Sequence, residues 1–300
     1  MMSISHLNNE TRRIIEGSLE DRVRWVQEDH FVYYPKAQAC IEELSYLMWQ
    51  QKNRAFPSDL DQLSIIGESG VGKSSIIREF MQLHPINHYK DHETYPVAYC
   101  ILRNSITGLG GLYTALLSAF NHPFANPGTR KYRQIKLSEL EDTLISTLKR
   151  AKTKLFFIDE FQHAIGRHQQ ALIDQIKRTM LVSQVPFIPV GTPEVENILN
   201  LDFQLADRCP VKKYSRLDNW EYNEEFQSFI EGYEKALPFP EPSGLASEEL
   251  TSIIFKKVKF PHLKETNLRH ITRFVKKVAT RALLKSHDKI LKEDIIETRN

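Results

Sequence analysis

The middle of the chain alternates short apolar runs with segments whose apolar residues recur at helical spacing. The apolar runs predict β-strands at 62–66, 97–102, 154–158, 185–190 and 211–214. The amphipathic segments predict α-helices near 73–83, 109–120, 137–151, 168–182 and 193–199. Such alternation is typical of a parallel sheet covered by helices on both faces. The pattern therefore predicts an α/β domain over residues 58–217.

The two ends of the chain have different patterns. Residues 1–57 are polar and mostly helical, with a break near Phe56-Pro57 and apolar residues at helix spacing at Ile41, Leu44, Leu47 and Met48. Residues 218–300 show no convincing strand alternation and predict helices around 220–236, 247–258, 266–285 and 288–297. We therefore expect three regions: an N-terminal, mostly helical segment (1–57), the α/β core (58–217) and a small helical domain (218–300).

The composition does not change the predicted fold, but it limits core size, nucleic-acid binding, cysteine chemistry and membrane association. A chain of 300 residues with 41% hydrophobic content can bury one sizeable core and a smaller one. The net charge of +2 indicates that any nucleic-acid binding would come from local patches. Three widely spaced cysteines favour reduced thiols in a cytoplasmic protein over a zinc site or disulfides. We see no signal peptide and no apolar stretch of about 18 residues, so we expect no membrane span.

Residues 67–74 read G-x-x-x-x-G-K-S, with an apolar run before them and the start of a helix after them. A strand, a glycine-rich turn and a helix N-terminus surround an anion with backbone N–H groups. Lys73 can reach the β- and γ-phosphates of ATP, and the Ser74 hydroxyl can bind Mg²⁺. The alternative is an ordinary strand–helix turn, and the flanks favour the nucleotide site. The predicted nucleotide-binding residues are Gly67, Glu68, Ser69, Gly70, Val71, Gly72, Lys73, Ser74 and Ser75.

A second element, Leu155–Glu160, is an apolar run that ends in an acidic pair. Parallel strands bind ligands at their carboxyl ends, so this pair belongs at the same edge as the glycine-rich loop. Asp159 can hold Mg²⁺ beside Ser74, and Glu160 can polarise a water for attack on the γ-phosphate. By itself the string could be a strand followed by a helix that favours acidic residues. Paired with the loop, it favours ATP hydrolysis over kinase chemistry.

A nucleotide-binding sheet followed by a small helical bundle is the layout of an AAA+ ATPase with its lid. Thr192, after the strand 185–190, is our candidate for positioning the attacking water, although it could equally cap the following helix. Arg208 is a candidate arginine finger for a neighbouring subunit's γ-phosphate, with a surface salt bridge as the alternative. Arg269 opens an amphipathic helix and resembles a second sensor arginine, with a solvated arginine as the alternative. The predicted catalytic residues are Glu160, Thr192, Arg208 and Arg269.

The chain resembles the TniB/TnsC family of AAA+ transposition ATPases over roughly residues 30–285. The resemblance rests on Gly67–Ser75, on Phe156–His163 (FFIDEFQH), on Val190–Glu194 (VGTPE), on Leu205–Arg208 and on Asn267–Arg269. Asp207 departs from the pattern, because a small or neutral residue is expected before the arginine. Compact members occur in ordinary Tn-type and in CRISPR-associated elements, and the sequence does not decide between them.

The resemblance implies a regulator that forms a homo-oligomer, as a ring or helical filament, on duplex DNA. It also implies contact with a target-selector protein and recruitment of a DDE transposase. Two other classes stay open. One is a helicase-loader or initiator-type ATPase, which would prefer single-stranded DNA or a replicative helicase. The other is a nucleotide-gated scaffold ATPase without DNA contact.

A DNA-coating protein needs cations that face phosphates. The segment 126–133 supplies Arg130, Lys131 and Arg133 in a predicted loop, and Arg103 and Thr107 follow the strand 97–102. Contacts of this kind position a protein on DNA without reading its bases. The alternative is that these residues simply face solvent, which is more common for a cluster of charged residues than nucleic-acid contact.

Overall fold

The computed structural model describes residues 5–53, 62–103, 108–125, 136–164, 169–201 and 203–299. Its α-helices are α1 (Thr11–Ile14), α2 (Leu19–Gln27), α3 (Pro35–Asn53), α4 (Lys73–Leu83), α5 (Gly108–Ser118), α6 (Leu137–Arg150), α7 (Gln169–Ser183), α8 (Glu194–Leu199), α9 (Phe203–Arg208), α10 (Glu224–Glu234), α11 (Glu248–Val258), α12 (Leu268–Leu284) and α13 (Lys292–Glu297). Its strands are β1 (Ile65–Gly67), β2 (Asn87–His88), β3 (Glu93–Thr94), β4 (Val97–Ile101), β5 (Leu155–Asp159), β6 (Phe187–Gly191), β7 (Arg216–Leu217), β8 (Trp220–Glu221) and β9 (Glu265–Thr266). Short 3₁₀ turns occupy Pro123–Ala125 and Phe161–Ala164.

Five strands form a parallel sheet in the order β4-β5-β6-β1-β7. Strand β6 lies between β1 and β5, with Ile66 opposite Gly191 and Ile158 opposite Pro189. The carboxyl ends of parallel strands meet at one edge, where open α/β sheets bind their ligands. The predicted α/β fold with a parallel P-loop sheet is confirmed.

The sheet is buried on both faces, which explains the near-continuous apolar runs of its strands. Every residue of β5 and β6 is buried. Phe156 and Phe187 pack across these two strands with ring centroids 5.0 Å apart. Helix α6 contributes Leu140, Leu144 and Leu148, whose four-residue spacing places them on one face of the helix.

The chain forms two compact units. The sheet unit comprises residues 39–69 and 73–217. The helical unit comprises residues 1–38, 70–72 and 218–300. In the helical unit, α12 buries an apolar stripe of Ile271, Phe274, Val275 and Val278. Its first turn is capped by Asn267, whose Oδ1 accepts the His270 N–H at 2.9 Å.

Several element boundaries differ from the sequence prediction. The last strand of the sheet lies at β7, rather than at 211–214, because a turn closes there: the Ser215 N–H donates to the Lys212 carbonyl at 2.9 Å. Helix α10 begins at Glu224 and not at 220, since Trp220 pairs with Thr266 in the two-stranded β8–β9 ladder. Helix α13 begins at Lys292 and not at 288.

Five short elements were not expected from the sequence. The strands β2 and β3, the strands β8 and β9 and the helix α9 are two to six residues long. Elements of this length show no measurable periodicity, so the hydrophobic pattern carries no signal for them.

The three cysteines, all of them among the described residues, are buried free thiols. Burial raises the pKa of Cys40 to about 12 and that of Cys209 to about 12. The Cys209 thiol donates to Gln62 Oε1 at 3.0 Å. At neutral pH these groups are therefore protonated packing residues, and the thiolate needed for nucleophilic or metal chemistry is disfavoured.

Candidate nucleotide-binding and hydrolysis site

The glycine-rich loop runs from the end of β1 to the start of α4. Gly70 and Gly72 have φ angles of +86° and +111°, a left-handed region in which L side chains are strained. Glu68 and Ser69 are exposed on the approach to this turn, and Val71 is buried. Helix α4 begins at Lys73 directly after the loop, and the N–H groups in the first turn of an α-helix have no acceptor within the helix itself. This loop can therefore receive an anion.

Lys73 turns back onto its own loop. Its Nζ donates to the carbonyl oxygens of Gly67 at 2.5 Å and Glu68 at 2.9 Å. The ammonium is thus held beside the helix N-terminus, where both favour a bound phosphate. Ser74 is exposed and Ser75 half-buried in the same first turn. These donors fit the phosphates of a nucleotide, and the Ser74 hydroxyl fits a Mg²⁺ ligand.

Asp159 ends β5 and is 5% exposed. Its Oδ1 accepts the backbone N–H of Glu160 at 2.8 Å, and its Oδ2 accepts the hydroxyl of Tyr99 at 2.8 Å. Burial, followed by the charge of Asp159 and this hydrogen bond, raises the pKa of Tyr99, so the phenol stays a donor at neutral pH. The carboxylate is held by a donor on each oxygen, an arrangement that suits an oriented metal ligand.

Glu160 has a left-handed backbone with φ +56°, which is uncommon for a non-glycine residue. Its Oε2 accepts a hydrogen bond from Gln162 Nε2. Gln162 Oε1 in turn accepts the backbone N–H of Thr192 at 3.3 Å. The predicted water-activating and water-positioning residues are therefore joined through one amide side chain.

Thr192 follows β6 directly. Its Oγ1 is buried and has no hydrogen-bond partner among the described residues. A buried hydroxyl of this kind costs free energy unless something satisfies it. The Thr192 carbonyl also accepts the Val195 N–H at 3.0 Å in the turn that leads into α8. His163 Nδ1 bonds to the Leu102 carbonyl at 2.9 Å, which ties the turn after β5 to the residue just beyond β4.

In the helical unit, the tip of the glycine-rich loop packs against the start of α12. The backbone N–H of Arg269 donates to the Gly70 carbonyl at 3.0 Å. A Cβ on Gly70 would stand 3.0 Å from Asn267 Nδ2 and 3.2 Å from Arg269 Cβ. Gly70 is therefore required here both by its φ and by the close approach of α12. The Arg269 residue itself is exposed.

The other predicted site residues are more scattered. Arg208 is the half-buried last residue of α9, and Asp207 before it is exposed. Arg103 is exposed just beyond β4, two residues after Ile101, which lies opposite Asp159. The remaining DNA-contact candidates, Thr107, Arg130, Lys131 and Arg133, lie outside the described residues.

Sequence reasoning missed Tyr99 and overlooked the part played by Gln162. Tyr99 stands inside a strand that reads as core, and only the pairing of β4 with β5 brings its hydroxyl to Asp159. Gln162 lies inside the recognised motif Phe156–His163, but its contact with Thr192 spans 30 residues of chain. Among the described residues, no helix combines the length and the apolar content that crossing a membrane requires.

Comparisons with known proteins agree with this fold. The family model for the bacterial TniB protein matches residues 22–222. Among solved structures, Cdc6p from Pyrobaculum aerophilum is 16% identical with a TM-score of 0.57, and the match covers 90% of this chain and 68% of that one. The Aeropyrum pernix ORC2 protein, solved as ADPNP-ADP complexes, is 13% identical with a TM-score of 0.56, covering 91% and 71%.

The Aeropyrum pernix ORC1 protein, solved in complex with DNA, is 13% identical with a TM-score of 0.55, covering 91% of this chain and 67% of that one. At these identities the similarity establishes the AAA+ fold alone. A search of curated proteins found no match.

Proposed function

Since this chain belongs to the bacterial TniB protein family, we propose that it is an ATP-hydrolysing regulator of DNA transposition that assembles on duplex target DNA. The observation that carries the proposal lies in the sheet unit. There, Lys73 begins α4 after β1 and the glycine-rich loop, Thr192 follows the neighbouring strand β6, and Asp159 ends the next strand, β5, with Glu160 directly after it. Phosphate binding, metal binding and water activation are thus assigned to one edge of one sheet.

In the proposed reaction, the loop N–H groups and Lys73 hold the β- and γ-phosphates of ATP. Glu160 takes a proton from the attacking water while the oxygen of that water forms a bond to the γ-phosphorus. The bond from that phosphorus to the β–γ bridging oxygen breaks, and the products are ADP and inorganic phosphate. Thr192 Oγ1, which has no partner among the described residues, aligns the attacking water.

Two further groups complete the proposed site. Ser74 and Asp159 would hold Mg²⁺, which neutralises charge on the phosphate oxygens when bound. Arg208 of a neighbouring copy would stabilise the transferring phosphoryl group, so that turnover depends on assembly. Arg269 would respond to the bound nucleotide, a role supported by its backbone contact with Gly70 at the loop tip.

In this proposal ATP stabilises a homo-oligomer on duplex DNA, and hydrolysis disassembles it. The assembled state links a target-selector protein to a DDE transposase, and hydrolysis acts as a timer on target choice. Family membership supports the transposition role. The exposed Arg103 at the end of β4 supports phosphate contact.

Assembly can be tested by sedimentation and gel shift with random-sequence duplex DNA in ATP, in a slowly hydrolysed analogue and in ADP. We expect large complexes only in the two triphosphate states. If no complexes form in any nucleotide state although ATP is still hydrolysed, the proposed assembly on duplex DNA is refuted. Preferential binding of single-stranded DNA of the same length would favour the helicase-loader class instead.

Two variants separate binding from chemistry in the same assay. Lys73→Ala should abolish both assembly and turnover, because the phosphates lose their main cation. Glu160→Gln should keep ATP binding and lower turnover by about 10²- to 10⁴-fold, which freezes the assembled state. Lys149→Ala, at an exposed position on α6, is the matched control and should behave as wild type. Wild-type turnover in Glu160→Gln would show that another group activates the water.

A further inference from the structure

The 3₁₀ turn that follows β5 places one amide between two residues of the proposed hydrolysis site. Gln162 Nε2 donates to Glu160 Oε2, and Gln162 Oε1 accepts the Thr192 N–H at 3.3 Å. We infer that Gln162 is a positioning residue. It holds the carboxylate of Glu160, the proposed general base, at a fixed position relative to Thr192 at the end of β6. This inference rests on the proposed ATP hydrolysis.

The two hydrogen bonds define the amide orientation uniquely. The Nε2 group can only donate and Oε1 can only accept. A flipped amide would set its oxygen against the Glu160 carboxylate and its nitrogen against the Thr192 N–H, so both contacts would be repulsive. The side chain therefore works as a directional bridge between Glu160 and Thr192.

The side chain of Glu160 needs such a bridge, because the hydrogen bonds of its backbone do not restrain it. Two hydrogen bonds fix its peptide groups: its N–H donates to Asp159 Oδ1 at 2.8 Å, and its carbonyl accepts the His163 N–H at 2.9 Å. They hold the left-handed φ of +56° but leave the torsions of the Glu160 side chain unrestrained. Gln162 supplies the contact that fixes the carboxylate itself.

Gly191 makes room for this bridge. A Cβ at position 191 would overlap Gln162 Oε1 and stand 2.7 Å from Val195 Cγ2. Gly191 is not among the glycines with positive φ, so its backbone can be adopted by any residue. The close approach of the Gln162 amide and the Val195 side chain, and not the backbone conformation, explains the glycine at this position.

Loss of the bridge should affect the chemical step and not nucleotide binding, because the side-chain hydrogen bonds of Gln162 go to Glu160, the proposed base, and to Thr192. A misplacement of about 1 Å can cost about 10²-fold in rate. We expect Gln162→Met, which keeps the length without the amide, to lower kcat at least about tenfold. The KM for ATP and the Kd for a fluorescent ATP analogue should stay within about twofold of wild type.

The experiment measures steady-state ATP turnover and analogue binding on the full chain, with and without duplex DNA. Gln170→Met is the matched control, since Gln170 also donates through Nε2 to a carboxylate, Asp174 Oδ1 at 3.2 Å, but on the exposed face of α7. Gln170→Met should leave both kcat and KM unchanged.

Two more variants cover the case in which Gln162→Met folds poorly. Gln162→Asn keeps an amide that is one methylene too short to reach both partners, and it should also lower kcat selectively. Gly191→Ala should also lower kcat, because its Cβ would displace the Gln162 amide; since that Cβ would also crowd Val195 Cγ2, Gln162→Asn is the more specific of the two variants.

The outcomes separate this inference from the proposed function. If the wild-type protein hydrolyses ATP and both Gln162→Met and Gln162→Asn have a kcat equal to or above that of wild type, the positioning role is overturned. The proposed ATP hydrolysis would be unaffected by that result. A parallel loss of analogue binding also overturns the positioning role, because it would indicate a general structural effect. A wild-type chain that binds ATP but never hydrolyses it overturns the proposed function, and this inference with it.

Discussion

At the scale of single residues, the site is built around the restraint of two carboxylates. Each oxygen of Asp159 accepts a hydrogen bond, from Tyr99 and from the Glu160 N–H. Glu160 Oε2 accepts a hydrogen bond from Gln162. A carboxylate that is held in this way loses little conformational entropy when its ligand binds. Local sequence predicted the two acids, whereas the residues that restrain them depend on neighbouring strands and turns.

Removing the Tyr99 hydroxyl should loosen Asp159. Tyr99→Phe keeps the ring but takes the donor from Oδ2, and partners of metal-binding carboxylates typically contribute 10- to 100-fold. We expect the Mg²⁺ concentration for half-maximal ATP turnover to rise about tenfold. Tyr95→Phe is the control, because Tyr95 also donates to a carboxylate, Glu93 Oε2 at 2.6 Å, at an exposed site. An unchanged Mg²⁺ requirement in Tyr99→Phe would show that the phenol does not orient Asp159.

At the scale of secondary-structure elements, one buried carboxylate organises the junction of α12 and α13. Asp294 has a fully buried side chain and accepts hydrogen bonds from Lys285 Nζ at 3.1 Å, His287 Nδ1 at 2.9 Å and the Leu291 N–H at 3.1 Å. Glu297 also faces Lys285, at 3.2 Å. Burial by itself would raise the pKa of Asp294, but the hydrogen bonds outweigh it and hold this pKa below its usual value.

This junction should make stability depend on pH in a definite direction. Because the pKa of Asp294 is lower in the folded state, its contribution is present above the unfolded pKa of about 4 and is lost as pH falls through the folded pKa. Asp294→Asn should lower the thermal unfolding midpoint by roughly 5 °C at pH 7. The gap between wild type and variant should shrink below about pH 4.

Thermal melts of wild type and variant between acidic and neutral pH measure this gap. Glu293→Gln, an exposed change in the same helical turn, is the control and should leave the midpoint nearly unchanged. A gap that stays constant across the whole pH range would contradict the assigned ionisation.

At the scale of the whole molecule, the near-neutral net charge of +2 shapes the proposed DNA contact. A long-range field cannot carry such binding, so local cations must do so. Of the five candidate contacts, Arg103 lies among the described residues and is exposed beyond β4. Its position follows the strand that flanks Asp159 in the sheet.

The salt dependence of binding tests this contact. Each phosphate contact contributes about 0.9 to the slope of log affinity against log salt concentration. Arg103→Ala should therefore weaken duplex binding about equally for all DNA sequences. The magnitude of the slope should fall by about 0.9 per bound protomer, which is the contribution of one phosphate contact. Arg150→Ala, an exposed cation at the end of α6, should leave the slope unchanged. Equal slopes for wild type and Arg103→Ala would exclude Arg103 from the interface.

The sequence by itself determined the α/β class, the parallel sheet and the family. These follow from signals that are local along the chain: apolar runs between amphipathic helices, and the motifs at Gly67–Ser75 and Asp159-Glu160. The tertiary structure decided what depends on pairing. It moved the last strand to β7, added the ladder of β8 with β9, and brought Tyr99 to Asp159 and Gln162 to Thr192. Strand register and close packing join residues far apart in the chain, and periodicity within one segment carries no information about either.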